Sequence, residues 1–248
     1  MRFKLLTIFF TVLFNTLTAY AQDENEYSRE TVVGVNLNTN GGLIGGAMFR
    51  HTREIGKTRG KYFNYGAELV VVKHPNEVRT ANSYTGNVFI LGKKNYLFAL
   101  RPHVGYEFLL FNKGKEDGIQ VDAIFNFGPT IGFVKPYYIQ YDDGVSVQVV
   151  PYSSQYYDPA TKGAGIVGSG GFFRGFDHMK IVPGAHMKAG MSFEFGTFGS
   201  GVSGIEAGTL LEVYPKRIEL MDISSSFATY NRWFFSSLYV NIYFGGRR

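Results

Sequence analysis

Apolar and polar residues alternate with a period of two over long parts of the chain, and this pattern limits the fold more than any other feature. In residues 185–195, one face carries alanine, methionine and phenylalanine, whereas the other carries Lys188 and Glu194. Residues 96–110 and 205–214 alternate in the same way. Because successive side chains of a β-strand point to opposite faces of the sheet, the pattern predicts long strands with one apolar and one polar face.

Beyond residue 22 the chain has no apolar run of the roughly 20 residues that a membrane-spanning helix requires. We therefore predict an all-β fold, a single closed antiparallel transmembrane β-barrel of about ten strands, with eight or twelve as alternatives. An even number of strands places both termini at one end of the barrel. The predicted strands lie near residues 31–38, 43–52, 62–73, 85–92, 95–111, 119–134, 137–149, 181–196, 204–214 and 232–244.

Three features favour a membrane barrel over a secreted soluble sandwich or lipocalin-like barrel, which remains the alternative because alternation does not reveal which face is inside. Most predicted strands are longer than the ~5–6 residues usual in soluble proteins. Charged residues make up only 18% of the chain, whereas a soluble surface carries about 25–35%. Aromatic residues lie near strand ends, where they form the two girdles of a membrane barrel: Tyr62, Phe63, Tyr65, Tyr96, Phe98, Tyr137, Tyr138, Trp233, Phe234, Phe235, Tyr243 and Phe244.

The N-terminus predicts export. Arg2 and Lys4 precede an apolar stretch that ends in an Ala-x-Ala site, so residues 1–21 are predicted to be a cleaved signal peptide, followed by one barrel domain over residues 22–248. The chain contains no cysteine, which excludes a disulfide scaffold, a cysteine nucleophile and a lipidated N-terminal cysteine. The predicted location is the outer membrane of a Gram-negative bacterium.

Three segments resemble a family of small outer-membrane β-barrel proteins from Bacteroidota. They are Gly-Lys-Lys-Asn at residues 92–95, Leu-Arg-Pro-His-Val-Gly-Tyr at residues 100–106 and Gly-Pro-Thr-Ile-Gly-Phe-Val-Lys-Pro-Tyr-Tyr at residues 128–138. The resemblance covers roughly residues 85–140. It implies the fold and the location, but it carries over no catalytic residue because no activity is assigned to the family.

The polar faces predict a charge network inside the barrel. Its predicted members are Arg50, Glu68, Arg101, His103, Glu107, Asp122, His186, Lys188, Glu194, Glu206 and Glu212, with Lys61 as a further candidate cation. Because buried charges are tolerated only when they are paired, we expect these groups to form salt bridges that plug the lumen. A narrow path for ions or small solutes is the alternative.

Neither the motifs nor the charge indicate catalysis or nucleic-acid binding. The five histidines lie far apart in sequence, and no Gly-x-Ser-x-Gly motif or calcium loop occurs, so we predict no catalytic residue, no cofactor and no metal site. The formal charge of +5 is mild and includes no basic stripe, which argues against a nucleic-acid partner.

The predicted function is a structural or docking role in the cell envelope, with outer-membrane lipid and other envelope proteins as partners. A narrow channel or transporter for small or hydrophobic solutes is the alternative, and a lipid-modifying enzyme is third; the oligomeric state is left open. Residues 144–178 and 215–230 are expected to form external loops that make the contacts, whereas residues 92–95 and 197–204 are expected to be short periplasmic links.

Overall fold

The structure is a computed structural model that describes residues 28–55, 60–112, 118–156, 165–195, 201–222 and 231–248, without the side chains of residues 43 and 44. The predicted signal peptide, residues 1–21, lies outside the described residues. The strands are β1 (Arg29–Asn38), β2 (Gly42–Glu54), β3 (Lys61–Val72), β4 (Arg79–Ala81), β5 (Val88–Ile90), β6 (Asn95–Phe111), β7 (Gln120–Pro136), β8 (Tyr138–Asp142), β9 (Val147–Pro151), β10 (Ile166–Ser169), β11 (Lys180–Glu194), β12 (Gly201–Val213) and β13 (Phe234–Arg247).

Eight of these strands form a closed antiparallel barrel in the order β1, β13, β12, β11, β7, β6, β3, β2. The barrel closes because β1 pairs with both β2 and β13, so the first and last strands of the chain are neighbours. Closure gives every barrel strand two neighbours and leaves no exposed sheet edge. Among the described residues the one helix is the short 3₁₀ turn Ser154–Tyr156, and no helix there is long and apolar enough to cross a membrane.

The preferred count of ten barrel strands differs from the structure, which has the eight-stranded alternative. Two predicted segments lie outside the barrel. Residues 85–92 supply only β5, which pairs with β4, and residues 137–149 form most of the hairpin β8–β9, which joins β10 in a three-stranded sheet. The turn between β8 and β9 contains Asp142-Asp143-Gly144, residues that favour turns over a continuous strand.

The two ends of the barrel differ in their connections. At the end that holds both termini, called here the terminus end, β2–β3, β6–β7 and β11–β12 are joined by short segments. At the opposite end, called here the loop end, long connections follow β3, β7 and β12 and contain the two small sheets. Residues 92–95 were expected to be a short link at the same end as the termini, but they lie at the loop end, where they lead from β5 into β6; residues 197–200 lie outside the described residues.

The barrel wall separates apolar from ionisable side chains. Leu238, Phe127 and Met187 point outward and are 62%, 57% and 56% exposed, whereas Lys188 and Glu194 point inward and are 3% and 2% exposed. The other large apolar side chains on the outer surface of the barrel include Val33, Val35, Phe49, Tyr65, Leu69, Val104, Tyr106, Phe125, Ile181, Met191, Ile205, Leu211, Val213, Phe234, Val240, Ile242 and Phe244.

Several aromatic side chains that were expected in the girdles are buried instead. Tyr62, Phe235 and Tyr243 belong to the inward face of their strands, and Tyr137 lies in the small-sheet region. A tyrosine near a strand end fits either face, because its ring is apolar and its hydroxyl can bond to an interior polar group. Only the phase of the alternation decides between the two positions.

An apolar cluster closes the loop end of the barrel. Ile218 and Leu220, from the connection between β12 and β13, are 2% and 1% exposed and pack with inward residues of β3 and β6 such as Val72 and Leu97. Backbone bonds hold this segment in place, because Leu220 O accepts from the N–H groups of residues 94 and 95. The connection therefore covers the mouth of the barrel, and we call this cluster the apolar cap.

Candidate functional site: the barrel interior

The barrel interior contains a continuous row of ion pairs in which acids and bases alternate. From the terminus end toward the loop end, the order is Glu194, Arg247, Glu30, Arg50, Glu206, Lys188, Glu68, Arg101 and Glu212. We call these nine residues the lumen network. They come from seven of the eight barrel strands, so the network exists only when the barrel is closed.

At the terminus end, Arg247 links two carboxylates. Its Nε donates to Glu30 Oε2 at 2.9 Å, and its Nη2 bonds to Glu194. Glu30 also lies 3.7 Å from Arg50 Nη2, which carries the row into the barrel. Glu107 is a side branch, since its Oε2 lies 3.9 Å from Arg50 Nε.

In the middle of the barrel, Glu206 and Glu68 share the ammonium group of Lys188. Glu206 accepts from Arg50 Nη1 at 2.7 Å and lies 3.3 Å from Lys188 Nζ, while Lys188 Nζ also donates to Glu68. The Tyr239 hydroxyl donates at 2.8 Å to Glu206 Oε1, the oxygen that also faces Lys188, whereas Arg50 binds Oε2. These carboxylates thus meet the requirement that buried charges be paired and hydrogen-bonded.

Toward the loop end, Arg101 makes a two-pronged contact with Glu212. Its Nη2 and Nε donate to the two carboxylate oxygens at 2.7 Å and 3.2 Å. Such fork-to-fork pairing is the strongest common geometry for an arginine and a carboxylate. The Tyr214 hydroxyl also donates to Glu212, at 3.0 Å, and Tyr214 itself belongs to the apolar cap.

The structure places all eleven predicted interior residues on the inner face, each with at most 5% exposure. Seven belong to the lumen network and Glu107 is its side branch. Asp122 accepts from Gln120 Nε2 at 2.9 Å and forms no ion pair with the described residues. Lys61, the further candidate cation, is exposed and points away from the interior.

His103 and His186 form a separate pair. Their rings are 6.3 Å apart in an edge-to-face arrangement. His186 Nδ1 shares a hydrogen bond with Thr130 Oγ1 at 3.0 Å, and His103 Nδ1 lies 3.2 Å from Arg101 O. Because a carbonyl oxygen only accepts, His103 Nδ1 carries a proton and donates to it.

Sequence reasoning missed two members of the lumen network, Glu30 and Arg247. Glu30 lies one residue before the predicted first strand, and Arg247 lies three residues after the predicted last one. The Glu30 side chain is in phase with inward Val32, so extending the alternation outward would have found it. Arg247 is likewise in phase with inward Tyr243, although the alternating burial of its strand ends after Phe244.

A further buried cation lies outside the barrel strands. Lys93 Nζ donates to Glu77 Oε2 at 2.5 Å and lies 4.1 Å from the centre of the Tyr96 ring. Burial lowers the pKa of Lys93 below its usual 10.5, and the Glu77 carboxylate opposes that shift. The pair fixes the residues before β6 to the start of the loop-end connection.

The described part of the chain holds no group of three or more His, Asp or Glu side chains placed to bind a metal ion. The charges pair with one another along the barrel axis, so the interior geometry supports a filled lumen. Comparison with known proteins adds nothing to this geometry: no family model, curated protein or solved structure matches the chain.

Proposed function

We propose that the protein is a non-enzymatic integral outer-membrane β-barrel of the small Bacteroidota type, with a plugged lumen and a docking surface at its loop end. One observation carries the proposal: large apolar side chains cover the outside of the closed barrel, and the eleven ionisable side chains predicted for the interior are buried inside. A soluble barrel has the opposite arrangement, because its apolar side chains fill the core. The apolar outer surface is therefore stable in contact with hydrocarbon rather than with water.

The strand lengths support a membrane crossing. The barrel strands have 10 to 17 residues, and thirteen residues tilted by about 40° rise about 33 Å. This height exceeds the ~25 Å apolar band of an outer-membrane barrel. Closure also pairs the backbone groups of the barrel strands, apart from a short interruption between β6 and β7, and the membrane interior favours such pairing because unpaired N–H and C=O groups are costly there.

The loop end supports a docking role because it is folded. The buried side chains of Phe89, Ile139 and Ile166 form an apolar cluster that joins both small sheets. Asn82 Nδ2 donates to Ile166 O at 2.9 Å across the two sheets. A preformed platform presents side chains at low entropic cost, which favours specific contact with another envelope protein.

The filled interior favours docking over conduction. The lumen network occupies the axis, and the apolar cap covers the loop end. An eight-stranded barrel has an interior just wide enough for its side chains, whereas porins have about 16 strands. An open channel of this kind requires the salt bridges and the cap to separate.

Cell fractionation and gel migration test the proposal. We expect the protein in the outer-membrane fraction, and we expect the unheated barrel to migrate faster than the boiled chain. Reconstituted protein should show no reproducible open level in planar bilayers. Recovery in the soluble fraction without a heat-dependent shift would overturn the membrane assignment, and a steady conductance would favour the channel alternative.

A further inference from the structure

The pairing between β6 and β7 is interrupted in the middle of the barrel wall. The register pairs Leu100 with Ile131 and, further along, Val104 with Phe127, but the positions between them are unpaired. The offset is the same on both sides of the interruption, so Pro102 lies opposite Pro129. Proline has no N–H group, so this pair cannot make its two cross-strand hydrogen bonds.

The interruption leaves two carbonyl oxygens without their usual partners. In a continuous ladder, the N–H of each residue in a hydrogen-bonded pair donates to the C=O of the other. With proline at both positions, the carbonyls of Pro102 and Pro129 lose these donors. The ladders of β6 with β3 and of β7 with β11 remain continuous. The interruption is therefore confined to the boundary between β6 and β7, which we call the seam.

An open cavity of about 650 Å³ lies at this seam. Its outer lining includes Pro102, Phe127, Pro129 and Ala185, and its inner lining includes His103 and His186. The cavity therefore joins the apolar outer surface to the two histidines. It exists because small or cyclic side chains lie side by side on three neighbouring strands, since Ala185 pairs with Pro129.

Several polar atoms at the cavity lack hydrogen-bond partners. The two proline carbonyls lack donors, and His186 Nε2 is buried with no hydrogen-bond partner among the described residues; it donates or accepts according to the role of Nδ1 toward Thr130 Oγ1. His103 donates through Nδ1 to a backbone carbonyl, which leaves Nε2 as the other polar atom of its ring. A ligand that complements this site has an apolar body and a group that donates a hydrogen bond.

We infer that the cavity binds a hydrocarbon chain that carries a hydroxyl group, with the chain along the apolar lining and the hydroxyl at the interrupted seam. Pro102 and Pro129 lie near the middle of their 17-residue strands. If the barrel spans the membrane as proposed, this height corresponds to the hydrocarbon interior, where a charged donor is far more costly than a hydroxyl. The ligand class therefore rests on the proposed function.

Competition between two fatty acids tests the inference. The folded, membrane-extracted protein is mixed with equal amounts of stearate and a hydroxystearate whose hydroxyl lies in the middle of the chain, and native mass spectrometry separates the two adducts by mass. One additional hydrogen bond predicts a preference of about threefold to tenfold for hydroxystearate. Equal binding, or no adduct of either, overturns the inference.

Two sets of variants locate the binding. Replacing both prolines (Pro102→Ala with Pro129→Ala) supplies the missing N–H donors, so the preference for hydroxystearate should disappear while stearate still binds. Ala185→Phe should reduce the binding of both fatty acids by filling the cavity. Ala47→Phe is the matched control, because Ala47 also faces outward but lies on β2, away from the seam.

Each outcome separates this inference from the proposed function. A preference that persists in the double proline variant, or binding that is unchanged in Ala185→Phe, overturns the cavity as the binding site. Every variant is first checked for the heat-dependent gel shift, which reports a folded barrel. A barrel that folds in membranes without the expected preference contradicts only the ligand, whereas recovery in the soluble fraction contradicts the membrane barrel itself.

Discussion

Replacing Lys188 with methionine tests whether the lumen network holds the barrel together. Lys188 is 3% exposed, its ammonium group contacts both Glu68 and Glu206, and it lies 4.2 Å from the centre of the Tyr239 ring. Methionine has a similar length but no charge. The substitution therefore leaves the packing nearly unchanged and removes the cation that two buried carboxylates share.

The two carboxylates are affected unequally. Glu206 keeps its 2.7 Å contact with Arg50, whereas the nearest remaining cation of Glu68 is Arg101, at 4.0 Å. Leaving a buried charge without its partner costs about 3–5 kcal/mol. We expect Lys188→Met to lower the free energy of unfolding by about that amount, and we expect Glu68→Gln to restore part of the loss in the double variant.

Urea unfolding in lipid vesicles measures this loss, with the fluorescence of Trp233, the one tryptophan of the chain, as the signal. The control is Lys94→Met. Lys94 contacts Glu219 at 2.5 Å, but the two side chains are 44% and 53% exposed, and such surface pairs contribute less than about 1 kcal/mol. Equal losses in the two variants, or no recovery with Glu68→Gln, would refute the role given to burial.

Three further predictions concern groups outside the lumen network. Burial lowers the folded-state pKa of Lys93 below its unfolded value of 10.5, so the free energy of unfolding should rise with pH between these two values. Glu77→Gln removes the carboxylate that opposes this shift and should lower the folded-state pKa further. An NMR titration of the lysine side chain that shows the same pKa in the variant would contradict the prediction. Leu220→Ala, in the apolar cap, should cost about 2–5 kcal/mol in the urea assay, and a loss below ~1 kcal/mol argues against a packed cap. Gly105→Ala places a Cβ 2.0 Å from a neighbouring carbonyl oxygen, so it should lower the free energy of unfolding by about 1–3 kcal/mol. Gly201→Ala is the control, because its Cβ meets no atom within 4 Å and should leave the stability nearly unchanged in the same urea assay.

The alternation of side chains predicted most of the barrel. Eight predicted segments overlap its eight strands, and the polar phase of residues 185–195 correctly identified Lys188 and Glu194 as one face. This succeeds because a strand buried on one face must alternate, whatever its partners are. The same rule explains the wrong strand number, since residues 85–92 and 137–149 also contain strands and local pattern does not say which sheet a strand joins.

The sequence could not predict which interior acid pairs with which interior base. Which glutamate meets which arginine depends on the register and stagger of strands that are distant in the chain, such as Arg50 with Glu206. The cap had no local signal either, because its residues 215–222 belong to a segment that was predicted as an external loop. The facing prolines at the β6–β7 seam became visible only when the register placed Pro102 opposite Pro129.

The orientation of the barrel wall is tested most directly by fluorescence quenching at a single outward position. The chain has no cysteine, so Leu238→Cys and Tyr84→Cys each give one site for an environment-sensitive dye. Leu238 faces outward at 62% exposure, and Tyr84 is 92% exposed in the loop-end connection. In reconstituted vesicles we expect spin-labelled lipid to quench the dye at position 238 and aqueous iodide to quench the dye at position 84. Quenching by iodide but not by lipid at position 238 would contradict a barrel whose apolar surface faces hydrocarbon.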